Sequence, residues 1–336
     1  MDLQPTEAML FQGYQMVEGR QKEVWCKLTM VGLTISVEEV FKDVPANRIH
    51  NDDILFEDSA CAISGTNLYV MGGRNGERRN NEDCSRRVRS LNIENPSQGW
   101  LPCADLTVKR AKHMPCYAGN LVLLLPGRYN VLQSRSLLLY DTNLNSCVAI
   151  PPPSPCLDCN TSFSCIDNSF NPKFCAPFGD QSGFLVCNSV GDHLYAFQPG
   201  TSWEKICHTK IRTVLSSSYE LREFSSLNGI LYLSYFCQRK LKTKLRVYDI
   251  RTIQFGDPAD LLREELLPDF GMDKVRNPKR FLVVLSDYKL CYMWKDASEL
   301  TYKLARVDIP PNAPLTVNEM KGDLDDTIHI INCIRL

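Results

Sequence analysis

Along this chain, short apolar runs rich in Val, Ile, Leu, Tyr and Phe recur between clusters of Gly, Asn, Asp and Pro, the pattern of many short β-strands. The clearest group runs from NLYVMGGR (Asn67 to Arg74) through RVRSLNIE (Arg87 to Glu94) to Trp100 and LPCADLTVKRAKH. It reads as a strand ending in two glycines, a second strand, a turn with Asn-Pro, and a strand opened by tryptophan. The same order returns four times. NLVLLLPGR precedes SLLLYDTN, GFLVCNS precedes HLYAFQPG and Trp203, GILYLSYF precedes KLRVYDIR, and RFLVVLSD precedes TYKLARVDI. With Asn92, Tyr140, Phe197, Tyr248 and Val307 taken as equivalent, the spacings are 48, 57, 51 and 59 residues. Each leaves room for four strands and their loops.

Five such units leave both ends over, and both ends contain strand-like runs, VWCKLTMVGLTISV (Val24 to Val37) and DTIHIINCIRL (Asp326 to Leu336). Pairing the first strands with the last would close a ring and remove an exposed sheet edge. The expectation is therefore an all-β single domain over 1–336. It is a β-propeller of six four-stranded blades, with 1–53 and 326–336 sharing the closing blade and a seventh blade left open. Only ADLLREELLPDF (Ala259 to Phe270) has a helical apolar spacing, with Pro258 before it and Pro268 stopping it, so a short loop helix is predicted there. The Pro- and Cys-rich stretch 151–175 has no periodicity and is predicted to be a long inter-blade loop.

The double glycine Gly72 and Gly73, followed by Trp100, resembles a kelch repeat. The match covers one blade clearly and most of the chain from about Ile54 in weaker form, with Pro126 and Gly127 replacing the glycine pair in the next unit. Glycine has a structural reason there, since a backbone without Cβ turns sharply and packs closely on its neighbour. The tails LLLYDTN and LRVYDI resemble the kelch domains of plant F-box/kelch proteins, of the galactose oxidase/kelch superfamily. In those proteins the propeller recognises a substrate and the F-box recruits a ubiquitin ligase. Residues 1–53 carry neither a Leu-Pro-led F-box pattern nor a BTB-like one, so the resemblance implies a substrate-recognition propeller without that recruitment module.

Charge changes this picture little. Thirty-eight basic against 39 acidic side chains give a formal net charge of -1, so no broad attraction to nucleic acid or anionic lipid is expected. No run approaches the roughly 20 apolar residues of a membrane-spanning helix, and the first residues lack a secretory signal pattern. The 15 cysteines are then expected as free thiols in a reducing, cytoplasmic or nuclear, compartment. Cys187, Cys237, Cys291 and Cys333 sit in strand-like contexts and read as small buried hydrophobes.

The resemblance places the loop after the double glycine on a ligand-binding face. Arg74, Asn75 and Arg78 begin that loop, and Arg128, Tyr129 and Asn130 begin the next one, offering guanidinium groups beside an aromatic ring for an acidic peptide. The competing reading is a solvated surface loop with its charges balanced by Glu77, Glu82 and Asp83. Cys156 and Cys159, with Cys165 and Cys175, supply enough thiols for zinc, but the second pair is too widely spaced for the usual site, and a reduced loop is preferred. Galactose oxidase binds copper through tyrosines and histidines, and plant specifier proteins bind iron at a regular short spacing. Neither pattern occurs among the scattered histidines here, so no cofactor is expected. No G-x-S-x-G, phosphate-binding glycine loop or H-E-x-x-H is present. The leading expectation is thus a module that binds a protein or peptide on its loop face. The alternative is a small-molecule enzyme, a cofactor-free isomerase or cyclase, or a specifier-like protein, of plant specialised metabolism, working in the central pocket.

Overall fold

Successive strands fold back on one another through two-residue turns that demand left-handed backbone. Ser64 pairs with Asn67 around Gly65 (φ 57°), Ala118 with Leu121 around Gly119 (φ 59°), and Leu227 with Ile230 around Asn228 and Gly229 (φ 49° and 74°). These are the residue types that tolerate positive φ, and their twist suits adjoining antiparallel strands. The structure, a computed structural model, describes residues 7–18, 20–41, 56–75, 84–111, 114–126, 137–151, 153, 172–178, 183–188, 193–201, 203–208, 219–237, 242–249, 260–266, 280–286, 288–295, 302–310, 316–320 and 328–336.

The hairpins build six four-stranded antiparallel sheets, the blades of a β-propeller. Blade 2 contains Ala60–Ser64, Asn67–Met71, Val88–Asn92 and Leu101–Pro102. Blade 3 contains Pro115–Ala118, Leu121–Leu124, Leu137–Asp141 and Ser146–Ile150. Blade 4 contains Pro172–Phe178, Gly183–Asn188, His193–Phe197 and Glu204–His208. Blade 5 contains Tyr219–Leu227, Ile230–Cys237, Lys242–Asp249 and Asp260–Leu266. Blade 6 contains Arg280–Ser286, Lys289–Lys295, Tyr302–Asp308 and Thr316–Glu319. Blade 1 joins the two ends of the chain, with Ile328–Arg335 pairing Glu7–Val17, followed by Arg20–Val31 and Thr34–Val40. The first strand of every blade touches the first strands of both neighbours, so six inner strands form a closed ring around an axis.

Packing between blades forms the core. Tyr232 and Val247 of blade 5 meet Leu290, Tyr292 and Trp294 of blade 6, all buried. Met9, Phe11 and Leu28 of blade 1 meet Cys291, Met293 and Leu304 of blade 6 in the same way. The blade 1 to blade 2 seam adds a polar latch. Gln12, fully buried, accepts from Ser59 Oγ (3.3 Å) and Cys61 Sγ (3.2 Å), and its Nε2 donates to Glu23 Oε1 (2.7 Å). Arg89 Nη2 donates to that same carboxylate oxygen, and its guanidinium carbon lies 4.3 Å from the Trp100 ring centre. Trp100 in turn packs on Trp25 of blade 1, with ring centres 5.9 Å apart.

Three sequence expectations need correction. Asp260–Leu266 is not a loop helix but the outer strand of blade 5, paired with Lys242–Asp249. Sheet pairing overrides a helical spacing in a segment this short. The stretch 151–175 is not all loop, because Pro172–Phe178 is the inner strand of blade 4; Pro172 stands at its first position, where a missing N–H is tolerated. Finally, Leu91, not Asn92, is the register equivalent of Tyr140, Tyr248 and Val307, each being one residue inside the hairpin end. Asn92 falls with Asp141 instead, and each caps the turn that follows with its Oδ1: Asn92 accepts from Glu94 and Asn95, and Asp141 from Asn143 and Leu144.

Candidate functional site

All six inner strands wall a cavity of about 480 Å³ on the propeller axis. Its surface is mostly apolar, with Ile63 of blade 2, Met114 of blade 3, Phe224 of blade 5 and Phe281 of blade 6 among the contributors. Inner strands present both neighbours with packing surface and leave their remaining side chains to the axis, which is why one short strand places Ala118 in the core and Tyr117 on the channel. Four thiols line it, Cys61, Cys116, Cys175 and Cys333, from four different blades. Ser225, Ser226 and Asn228 at the end of the blade 5 inner strand supply neutral polar groups.

Among the described wall residues, Arg335 is the one charged side chain. It stands at the end of the C-terminal strand, half-buried, and no Asp or Glu lies among the described wall residues. It acts electrostatically on Tyr117 of blade 3. Tyr117 is 43% exposed, and that residue stands on a channel walled by six inner strands. Burial therefore raises its phenol pKa, Cys116 adds to the rise, and Arg335 opposes it. Burial likewise pushes the Cys175 thiol well up, aided by a hydrogen bond and electrostatic interaction with Cys116, and pushes Cys333 well up, with Cys291 adding. At neutral pH these groups are uncharged.

The residues expected from sequence lie elsewhere. Gly72 and Gly73 end the second strand of blade 2 with φ of 59° and 102°, a left-handed path closed to most side chains. Gly73 N–H donates to the Arg110 carbonyl (2.7 Å), and Ser85 N–H returns a bond to the Gly73 carbonyl (2.7 Å). Trp100 stands just before the outer strand of blade 2. Arg74 follows the glycines, but its Nε lies 2.9 Å from Asp58 Oδ2, and both side chains are largely buried at 14% and 18% exposure. Asn75 pairs through its backbone with Phe56. Arg78, Arg128, Tyr129 and Asn130 lie outside the described residues, as do Cys156, Cys159 and Cys165 of the thiol cluster considered for zinc. Cys175 is buried in the inner strand of blade 4. Among the described residues no three His, Cys, Asp or Glu side chains converge to hold a metal ion.

Antiparallel order separates these regions. The loops after the double glycine join second to third strands, at one end of the ring, whereas Ser226, Asn228 and Arg335 mark the opposite end of the channel, where first strands finish. Arg335 and Tyr117 escaped the sequence reading because their only local signal is a polar residue at the end or middle of an apolar run. Their meeting depends on ring closure between residues far apart in the chain.

No protein-family model matches this chain, and no curated protein matches it. Solved structures do resemble it. A structure described as a novel fungal alcohol oxidase of the AA5 family, in complex with copper, aligns with a TM-score of 0.51 at 11% identity. The alignment covers 94% of this chain and 63% of that one, so the chain spans less than two thirds of the oxidase's length. The structure of YjhT aligns with a TM-score of 0.50 at 11% identity, covering 81% of this chain and 86% of that one. At these identities the likeness is one of fold: the chain is an all-β propeller of six four-stranded blades.

Proposed function

We infer that this protein is a binding propeller whose central channel receives a small, mostly apolar molecule. The observation behind this reading is the channel itself: about 480 Å³, walled by six strands and more apolar than polar, with hydroxyl, amide and guanidinium groups among its apolar side chains. That volume and composition match small-molecule sites, which typically span roughly 300–1,000 Å³ with a few placed polar groups. Binding is favoured over catalysis by the direction of the pKa shifts. An acid–base step needs a group that titrates near the working pH, whereas Tyr117, Cys175 and Cys333 all move upward, deeper into their uncharged forms. The peptide-binding reading of the loop face has less support, since the Arg74 guanidinium is engaged with Asp58.

The neutral apolar dye Nile red tests this reading. Its fluorescence is expected to rise saturably with the native protein. Affinity should fall about tenfold or more in Ser226→Trp, which fills the channel at the blade 5 wall, while the melting curve stays cooperative. Equal dye binding by the native and filled proteins would overturn the reading.

A further inference from the structure

We propose that the channel ligand is an amphipathic carboxylate whose acid group pairs with Arg335 while its apolar body lies along the inner strands. The proposal rests on the channel-binding reading above and adds the ligand's chemical class. Arg335 is the one charged side chain among the described wall residues, in a wall whose other side chains are apolar or, at Tyr117, Ser225, Ser226 and Asn228, polar and neutral. A cation in such a place is costly unless it is paired, and no Asp or Glu side chain stands among the described wall residues. A planar guanidinium matches a carboxylate with two parallel hydrogen bonds.

The neighbours fit the rest of such a ligand. The Tyr117 phenol stays protonated and so keeps an O–H to donate, and Arg335 acts on it electrostatically. Ser225, Ser226 and Asn228 line the same channel from the blade 5 strand and its turn. The same wall carries Ile63, Met114, Phe224 and Phe281, which accept a hydrocarbon chain or ring. One end of the ligand is thus specified by charge and the remainder by apolar burial.

Decanoate and decanol, equal in chain length and differing in the acid group, separate the possibilities by calorimetric titration of the full chain. Decanoate is expected to bind tighter by tenfold or more, since pairing to a charged group is the added term. In Arg335→Met, which keeps an apolar side chain of similar length, the preference should vanish, read as the ratio of the acid and alcohol affinities of that same variant. Arg335→Lys should retain part of it, because ammonium keeps the charge but not the paired geometry. Equal affinity of the native protein for acid and alcohol overturns the carboxylate assignment and leaves channel binding standing. Binding of neither overturns both. A preference that persists in Arg335→Met overturns the role of Arg335. Should that variant fail to fold, the acid-to-alcohol ratio in the native protein and the Arg335→Lys variant still decide the question.

Discussion

Replacing Arg89 by methionine removes the charge that spans the seam between the closing blade and blade 2, while keeping most of the side chain's apolar stem. In the native protein the guanidinium donates to Glu23 Oε1 and lies 4.3 Å from the centre of the Trp100 ring. Side-chain exposures of 29% for Arg89 and 20% for Glu23 place the pair between surface and core. A charge-assisted hydrogen bond at such a site contributes about 1.5–3 kcal/mol, and a partly desolvated cation–π contact about 0.5–2 kcal/mol. Allowing for solvent screening of the pair, the loss should be about 2–4 kcal/mol. Glu23 is then left with Gln12 Nε2 (2.7 Å) as its remaining hydrogen-bond donor within this latch. Urea unfolding followed by circular dichroism reads the loss as a lower midpoint at an unchanged slope. A double-mutant cycle with Glu23→Gln should return a coupling of about 1–2 kcal/mol. A loss below about 0.5 kcal/mol, the usual range of a plain surface substitution, would refute the claim that this latch helps hold the ring closed.

Further expectations concern backbone, pH and closure. Gly73→Ala places a Cβ at φ of 102° and should cost about 1–3 kcal/mol in thermal melts; a change near zero would show that the turn tolerates a side chain. Burial, with Glu7 adding, pushes the Cys291 thiol from 9.0 up to about 12. A folded-state pKa above the unfolded one means that the stabilisation is complete below pH 9 and lost as pH rises toward 12. Native protein should therefore lose on the order of 4 kcal/mol from this group across that range, and Cys291→Ala should show a shallower alkaline decline; parallel curves would contradict the burial argument. Removing residues 328–336 deletes the inner strand of the closing blade and exposes the edge of Glu7–Val17. Aggregation in size-exclusion chromatography is expected, and a soluble chain with an unchanged cooperative melt would argue against ring closure by the termini.

The parts of the fold legible in sequence were those where one strand carries its own signal. Tyr140, Phe197, Tyr248 and Val307 all stand in third strands and are themselves buried, so apolar runs and turn residues marked them directly. The shared closing blade followed from counting, because five units left strand-like runs at both ends. Inner strands were harder to read. Tyr219–Leu227 mixes Glu, Arg and Ser with its apolar residues, and Phe224, Ser225, Ser226 and Leu227 line the channel, so the strand lacks the clean alternation expected of a two-faced strand. Asp260–Leu266, an outer strand, was misread for a related reason: its leucines and glutamates are spaced as on a helix, and only pairing with blade 5 decides its state. Cys187 and Cys291 are buried as their contexts implied, whereas Cys333 is half-buried and on the channel, and the side chain of Cys237 lies outside the described residues. The channel itself left no local trace. Ile63, Tyr117, Phe224, Phe281 and Arg335 belong to five different blades, and ring closure alone brings them together.

The most direct test of the account is a crystal structure of the protein grown with decanoate. The account predicts electron density for the chain on the propeller axis, between Phe224 and Phe281, with its carboxylate against Arg335. A channel filled by its own side chains, or decanoate bound only on the outer surface of the blades, would contradict it.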